Sequence, residues 1–288
     1  MTTPSAMLAS ATTSAKPRAR GFPVLSASLR ESQAVIGAGA FYIIAISLLV
    51  GLLIPAFKTL NVAGYLSNPT IGAIVGTAGL PPSSTFATLL AFELYSSFFL
   101  LLFGGVLAYV AGASIARNVE DGTIDITLAR PVSRARFYLE KWAAVLVGGL
   151  LLIGVSLLAA WLDTLIYAGA TLDWQWFLRA HLDIAALFVF VAGAGLLISS
   201  VLSAGRLAGG LAVMIPVVGY LCQTFSGTGD KLTFLKYLSP YYYAPSATTM
   251  ILEQQSGEDI WKLVGLAAVG VIAALVGLVL FQRRDITV

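Results

Sequence analysis

The sequence is poor in charged residues, in cysteine and in histidine, and each scarcity excludes a class of protein or site. Only 11% of its 288 residues are charged, whereas soluble domains carry about 25%. The single Cys222 cannot form an internal disulfide, and the single His181 excludes any site that needs two histidines. The net charge of +3 is too small to indicate nucleic-acid binding. Because 58% of the residues are hydrophobic, we predict a membrane protein.

The chain also lacks a phosphate-binding loop of the form Gly-x-x-x-x-Gly-Lys-Ser/Thr. That loop is how many ATPases cradle the phosphates of a nucleotide. The chain is therefore not expected to hydrolyse ATP by that mechanism. An intramembrane enzyme would need His, Glu, Asp or a nucleophile clustered around one cavity, and the acids of this sequence are scattered. We therefore predict that the chain is not an enzyme.

Six apolar runs are long enough to cross the hydrocarbon layer of a membrane, which takes about 20 residues of helix. The sequence thus predicts an all-α membrane protein with six transmembrane helices. The predicted spans cover residues 35–57, 86–116, 142–167, 182–202, 207–225 and 260–281.

The remaining segments are expected to lie in water or at the membrane surface. Residues 1–24 are rich in Ala, Ser, Thr and Pro and lack the apolar core of a secretory signal, so we expect a disordered cytoplasmic tail. Residues 25–288 are predicted to form one six-helix domain. Short helices that lie in the membrane interface are expected at 25–34, before the first span, and at 246–255, on the outer side between the fifth and sixth spans. The alternative for residues 25–34 is that they begin the first span.

The basic residues are unevenly divided between the two sides that six spans create. Twelve of the 17 Lys and Arg residues fall in segments 1–34, 117–141, 203–206 and 282–288. The side of a membrane protein that is richer in Lys and Arg is cytoplasmic. Both termini and the polar loop between the second and third spans are therefore predicted to be cytoplasmic.

That loop, from Arg117 to Lys141, is the most polar part of the chain between apolar runs. It carries five basic and four acidic side chains, which cannot lie in lipid because their charges would be unsatisfied there. Arg130 precedes Pro131 and is expected to be extended rather than helical. The proline therefore divides the loop into two parts.

Each part contains a residue that can cap a helix. Before the proline, Asp121 or Thr123 can cap a short helix over 124–128, and after it Ser133 can cap a helix that continues into the third span. A short helix braced on both sides is suited to docking into a groove of another protein. The alternative is an ordinary hydrophilic loop that only connects two spans.

The loop carries a motif that reads Glu-x-Gly-Thr-(aliphatic)-Asp-x-x-Leu-x-x-Pro-Val-Ser-Arg, followed by Lys. It consists of Glu120, Gly122, Thr123, Ile124, Asp125, Leu128, Pro131, Val132, Ser133, Arg134 and Lys141. This motif resembles the cytoplasmic loop of permease subunits of type-2 ABC transporters. Leu238-Ser239-Pro240-Tyr241 before the last span and Phe281-x-Arg-Arg-Asp285 after it are similar to other recurring features of that family. Thr127 departs from the pattern, because that position is more often apolar in the family.

The resemblance implies a membrane permease that works with other subunits. A coupling helix in the loop would contact a separate cytoplasmic P-loop ATPase, through Glu120, Gly122, Thr123, Ile124, Asp125, Leu128, Arg130, Pro131 and Arg134. A second permease subunit, identical or different, would complete the pathway. The chain would be part of an exporter in the plasma membrane of a prokaryote and would bind no cofactor itself, because ATP and Mg²⁺ belong to the ATPase. The resemblance does not indicate the substrate.

Glu93 is a second candidate functional residue, because it falls in the outer third of the second predicted span. An ionisable group at such a depth is costly and often serves transport. The other interpretation is a carboxylate wetted by an outward vestibule or paired with a neighbouring span. If Glu93 works with an ion gradient, the chain would instead be a secondary transporter. Such transporters usually show repeats and ionisable groups near the middle of the membrane, whereas Asp163 and Asp183 also fall toward the outer ends of their spans.

Overall fold

The computed structural model describes residues 21–59, 85–95, 97–124, 132–244, 251 and 260–284, and within these ranges the regular structure is entirely helical. This confirms the predicted all-α class. The elements are α1 (Pro23–Thr59), α2 (Thr85–Glu93), α3 (Ser97–Glu120), α4 (Arg134–Ile166), α5 (Trp174–Val201), α6 (Gly205–Ser226), a 3₁₀ helix (Asp230–Leu238), α7 (Pro240–Tyr243) and α8 (Ile260–Arg283).

Six helices in the described part of the chain are long and apolar enough to cross a membrane, namely α1, α3, α4, α5, α6 and α8. Their spanning stretches are Pro23–Ala56, Leu101–Glu120, Arg134–Ile166, Trp174–Val201, Gly205–Ser226 and Ile260–Arg283. The predicted number and order of transmembrane helices are therefore confirmed, with the polar loop between the second and the third.

The second span differs from the prediction, because residues 86–116 do not form one helix. α2 ends at Glu93, and the amides of Leu94 and Tyr95 both donate to the carbonyl of Leu90, at 3.0 and 3.3 Å. This wider last turn closes α2 before α3 begins at Ser97. Hydropathy does not show the break, because the residues on both sides of it are equally apolar.

The short interfacial helix expected at 25–34 is also not a separate element. α1 runs without interruption from Pro23 to Thr59 and includes these residues as its first turns. A proline is well suited to the first turn of a helix, where its missing N–H has no partner to lose. The expected outer helix at 246–255, apart from Ile251, and most of the predicted tail at 1–24 lie outside the described residues.

Small residues allow the helices to approach closely, as in other membrane bundles. A Cβ added to Gly112 of α3 would lie only 2.6 Å from the carbonyl oxygen of Ala208 in α6. A Cβ added to Gly195 of α5 would lie 2.7 Å from the Cβ of Ala111 in α3. Gly270 of α8 lies against the backbone of Phe190 in α5, where a Cβ would be 2.5 Å from its Cα. These contacts pack α3, α5, α6 and α8 into one group, the four-helix group.

The first and third spans form a separate pair, the α1–α4 pair. α1 packs chiefly along α4, and α4 makes smaller contacts with α3, α5 and α8. The polar loop therefore runs from a helix of the four-helix group, α3, to a helix of the α1–α4 pair. The bundle has a boundary between these two sets of helices, and the loop crosses it.

Candidate functional site

The ends of α3, α5 and α8 meet the starts of α1, α4 and α6 at one end of the bundle, which we call the loop end. Polar contacts between side chains and helix termini join them. A helix terminus leaves backbone groups without partners and carries a partial charge, so it attracts side chains of the opposite charge. Several of the sequence-predicted loop residues make such contacts.

Glu120, the last residue of α3, holds the first residue of α6. Its Oε2 accepts a hydrogen bond from the amide of Gly205 at 2.7 Å. The preceding residue, Ala204, has no side chain that can cap the helix. Glu120 thus supplies both an acceptor and a negative charge where α6 begins. A Cβ on Gly205 would lie 2.8 Å from the Cβ of Arg117, so only a glycine allows this close approach.

Gly122 ends α3 in a left-handed turn. Its φ of +65° is a conformation that glycine adopts without the steric cost of a Cβ. The amide of Asp121 donates to the carbonyl of Arg117 at 2.8 Å, and the amide of Gly122 donates to that of Val119 at 3.2 Å. These bonds satisfy carbonyls at the helix end and direct the chain sideways.

The next two residues attach the start of the loop to the bundle. Asn118 Nδ2 donates to Thr123 Oγ1 at 3.0 Å. Ile124 is fully buried in the chain, so its side chain anchors the loop and is not free to contact a partner. The remaining predicted contact residues, Asp125, Leu128, Arg130 and Pro131, lie outside the described residues, as does most of the helix predicted over 124–128.

After the loop, Arg134 and Arg284 link three helices in series. Arg134 Nη1 donates to the carbonyl of Arg284 at 2.8 Å, just beyond the end of α8. Arg284 Nη1 in turn donates to the carbonyls of Ser200 and Leu202 at the end of α5, both at 3.0 Å. Guanidinium groups carry several donors and a permanent charge, which suits the negative ends of helices. The start of α4 is therefore tied to the ends of α8 and α5.

Glu140 of α4 caps the start of α1. Its Oε2 accepts hydrogen bonds from the amides of Val24 and Leu25 at 2.8 and 2.9 Å. Its Oε1 pairs with Arg136 Nε at 2.7 Å, and Arg136 also donates to the carbonyl of Gly21. Glu140 is only 5% exposed, so this carboxylate is paired on both oxygens inside the structure.

The start of α4 confirms the predicted cap. Ser133 Oγ accepts from the amide of Arg136 at 3.2 Å, and α4 continues through Lys141 to Ile166. Lys141 is buried and pairs with Glu31 of α1, with its Nζ 3.1 Å from Oε2. This ion pair is a second link within the α1–α4 pair at the loop end.

Sequence reasoning missed the roles of Glu140 and Arg284. The spacing of four residues between Arg136 and Glu140 is the local signal for their ion pair. Arg284 belongs to the motif after the last span, but nothing local indicates that it reaches the end of α5. Both residues bond to helix termini that are distant in sequence, and only the packing of the helices brings them together.

Glu93 is separated from all of these residues. It is the last residue of α2, near the start of α3 and therefore at the end of the bundle opposite the loop end. Its side chain is exposed, and it precedes the spanning stretch Leu101–Glu120. A role for Glu93 in the transport path stays a prediction.

The opposite end has its own polar network, centred on His181. One ring nitrogen, Nε2, lies 2.9 Å from Ser156 Oγ of α4 and 3.1 Å from the Tyr95 hydroxyl, and Nδ1 lies 2.7 Å from the carbonyl of Phe177. The His181 side chain is buried. The network joins α4 and α5 to the segment between α2 and α3, across the boundary between the two sets of helices.

The motif before the last span also lies at the opposite end. Ser239 is buried, and its Oγ accepts from the amide of Tyr241 at 3.2 Å, which caps α7. Pro240 packs on Gly219 of α6, where a Cβ would lie 2.5 Å from the proline Cδ. The motif therefore fixes the 3₁₀ helix and α7 against α6.

Comparison with known proteins agrees with the architecture. No curated protein matches the chain. The sequence model of a family described as ABC-2 family transporter protein matches residues 9–286, which is almost the whole chain. The resemblance of the polar loop is thereby confirmed at the level of the family. Together with the six apolar helices, this match shows that the chain belongs to the ABC-2 family of transporter proteins and is a multi-pass membrane permease component of an ABC transporter.

Proposed function

We propose that this chain is the membrane-spanning subunit of an ATP-driven exporter in the plasma membrane of a prokaryote. A permease of this family associates with an ATP-binding subunit and has no ATPase of its own. That partner would bind ATP and Mg²⁺ and would dock on the loop between Arg117 and Lys141. The observation that carries the proposal is that this loop is anchored at both ends to the termini of other membrane-spanning helices.

Because both ends of the loop are bonded to other helices, a displacement of the loop would be transmitted to those helices. Glu120 connects its first end to α6, and Arg134 connects its second end to α8 and, through Arg284, to α5. A hydrogen bond to a charged group contributes about 1.5–3 kcal/mol. A displacement of the loop would therefore move the attached helices, whereas a loosely tethered loop would absorb it.

The helices that move together follow from the packing. α3 and α6 are joined by Glu120 and by the contact of Gly112 with Ala208, so they are expected to move as a unit. The boundary of weaker packing lies between the four-helix group and the α1–α4 pair. Because the loop crosses this boundary, a push on it would shift one set of helices against the other. That shift would change the surface presented to a second permease subunit and open the pathway between the two.

The charge distribution supports a cytoplasmic position for the loop end. Arg134, Arg136, Arg206 and Arg284 are among the basic residues there, together with Arg117. Loops rich in Lys and Arg stay on the cytoplasmic side of a membrane. A cytoplasmic ATPase subunit could contact the loop only if the loop end lies on the cytoplasmic side.

A pull-down from the native cell in mild detergent, followed by mass spectrometry, tests the proposal. We expect a P-loop ATPase to co-purify with the chain. Scrambling residues 125–130 should abolish co-purification, because these residues form the proposed docking site. The fold should be kept, because the change spares the anchors Glu120, Ile124 and Arg134. Scrambling residues 227–232 at the opposite end is the matched control and should have no effect.

One result would overturn the proposal. If the chain purifies alone and moves solute into liposomes under an ion gradient, it is a secondary transporter, and Glu93 becomes the residue to test. If the ATPase stays bound after residues 125–130 are scrambled, the docking site lies elsewhere on the chain.

A further inference from the structure

A small cavity lies near the loop end, between α1, α3 and α4. It has a volume of about 90 Å³, and the charged residues and serines in its lining are Ser28, Glu31, Ser32, Ser114, Arg117 and Lys141. The coupling function proposed above uses none of these side chains as contacts. Their chemistry indicates a separate role.

The cavity has an excess of positive charge. Lys141 is 3% exposed and pairs with Glu31, whose side chain is 60% exposed to solvent. Arg117 lines the same cavity and lies close enough for its charge to repel that of Lys141. The cavity is thus lined by two cations and by one carboxylate, which is largely hydrated. An anion in the cavity would relieve the repulsion.

A buried hydroxyl in the same cavity lacks a partner. Ser28 is 8% exposed, and its Oγ makes no hydrogen bond. A buried polar atom without a partner is costly, and native structures contain few of them. A ligand with several acceptor oxygens could accept from this hydroxyl and from the two cations at once. A phosphate group has this chemistry.

An apolar groove continues from the cavity into the membrane-spanning region. The two share Val35 and Tyr109, and the groove has a volume of about 400 Å³. Its other lining residues lie along α3 and α6, away from the loop end, and are Leu101, Leu102, Gly105, Val106 and Val213. A free phosphate ion would not bind in such an apolar groove, whereas an acyl chain would fill it.

We infer that the cavity and the groove together bind an anionic phospholipid. Its phosphate lies near Ser28, Arg117 and Lys141, and one acyl chain occupies the groove beyond Tyr109. Arg117 lies one turn from the end of α3, and Lys141 lies two turns from the start of α4, which is the depth of lipid headgroups. The lipid would sit on the boundary between α3 and the α1–α4 pair and would bridge the two sets of helices.

Lipid titration of the purified full-length chain, followed by native mass spectrometry, tests the headgroup contacts. We expect phosphatidylglycerol to bind about tenfold more tightly than phosphatidylcholine with the same acyl chains, because only the former is anionic. Arg117→Gln should reduce phosphatidylglycerol affinity about tenfold. Arg206→Gln, an exposed arginine at the same end, is the matched control and should bind like the unmodified chain.

Two further variants separate binding from folding. Glu31→Gln removes the carboxylate that competes for Lys141, so phosphatidylglycerol affinity should rise. Ser28→Ala removes the unpaired hydroxyl; the apparent Tm without lipid should not fall, while the increase in Tm on adding phosphatidylglycerol should shrink. A purely structural role of these residues would not produce opposite effects on affinity.

Filling the groove distinguishes a lipid from a free phosphate ion. Gly105 lines the groove, and a Cβ there would meet only Val213 Cγ1, at an ordinary contact distance of 3.9 Å, so Gly105→Leu is the variant chosen to fill the groove. This variant should weaken phosphatidylglycerol binding and leave any binding of inorganic phosphate unchanged. Equal binding of the two lipids, or equal behaviour of Arg117→Gln and Arg206→Gln, would refute the inference. Inorganic phosphate that binds at this site and is not displaced by phosphatidylglycerol would refute the lipid assignment.

Discussion

Replacing Glu120 by Ala should uncouple ATP hydrolysis from transport. The change removes the acceptor 2.7 Å from the Gly205 amide and the negative charge at the start of α6. A hydrogen bond to a charged group is worth about 1.5–3 kcal/mol, and the exposure of Glu120 to solvent argues for the lower end of that range. A loss of about 1.4 kcal/mol shifts the equilibrium between joined and separated ends of α3 and α6 by about tenfold. The ends of α3 and α6 would then be joined in a smaller fraction of molecules, so a displacement of the loop would be transmitted to α6 less efficiently.

The assay is the ratio of substrate exported to ATP hydrolysed in proteoliposomes that contain the complete complex. The ratio should fall several-fold in Glu120→Ala and less in Glu120→Gln, because the amide oxygen of Gln can still accept from Gly205 but carries no charge. Arg206→Gln, at the exposed residue next to Gly205, is the matched control and should keep the ratio of the unmodified complex. An unchanged ratio in a well-inserted Glu120→Ala complex would refute the proposal that Glu120 transmits the displacement of the loop to α6.

Three further substitutions test other anchors of the loop end. Gly122→Pro cannot adopt the observed φ of +65°, so transport should be lost while membrane insertion is kept; unchanged transport in a well-expressed variant would count against the role of this turn. Arg284→Ala should lower the apparent Tm by removing donors to the end of α5, at a cost of about 2–3 kcal/mol, whereas the exposed neighbour Arg283→Ala should leave Tm nearly unchanged. Glu140→Ala removes the cap of α1 and leaves Arg136 without its carboxylate, at a cost of about 3 kcal/mol, and limited proteolysis should then cut near the start of α1; an unaltered digestion pattern would contradict this role.

Most of the architecture could be predicted from the sequence, because the membrane imposes a local requirement. Every span needs about 20 apolar residues in succession, and every charged loop must lie outside the hydrocarbon layer. These conditions apply to each segment by itself, so the number and order of spans and the position of the polar loop follow from composition along the chain. The cap at Ser133 is equally local, since its partner is the amide of Arg136.

The limits of the prediction appear where local signals are ambiguous. The apolar run from Phe86 to Ala116 contains a break between α2 and α3, where Glu93, Ser96 and Ser97 are too few polar residues to interrupt the hydropathy signal. Residues 25–34 mix charged and apolar side chains and therefore look like a surface helix. They are instead the first turns of α1, because Glu140 and Lys141 of α4 bind these turns. At the start of α1, a contact between segments, rather than the segment itself, determines where the helix begins.

The contacts of the loop end were decided by the tertiary structure alone. Glu120 and Gly205 are 85 positions apart, and Arg134 and Arg284 are 150 apart. Which helix ends meet depends on how closely the helices pack, and that in turn depends on small residues such as Gly112 and Gly195. The sequence by itself therefore determined a six-span membrane protein with one polar loop, because lipid selects apolar segments one at a time. Only the packing of those segments joined the loop to α5, α6 and α8, because each joining bond needs a donor and an acceptor from distant parts of the chain.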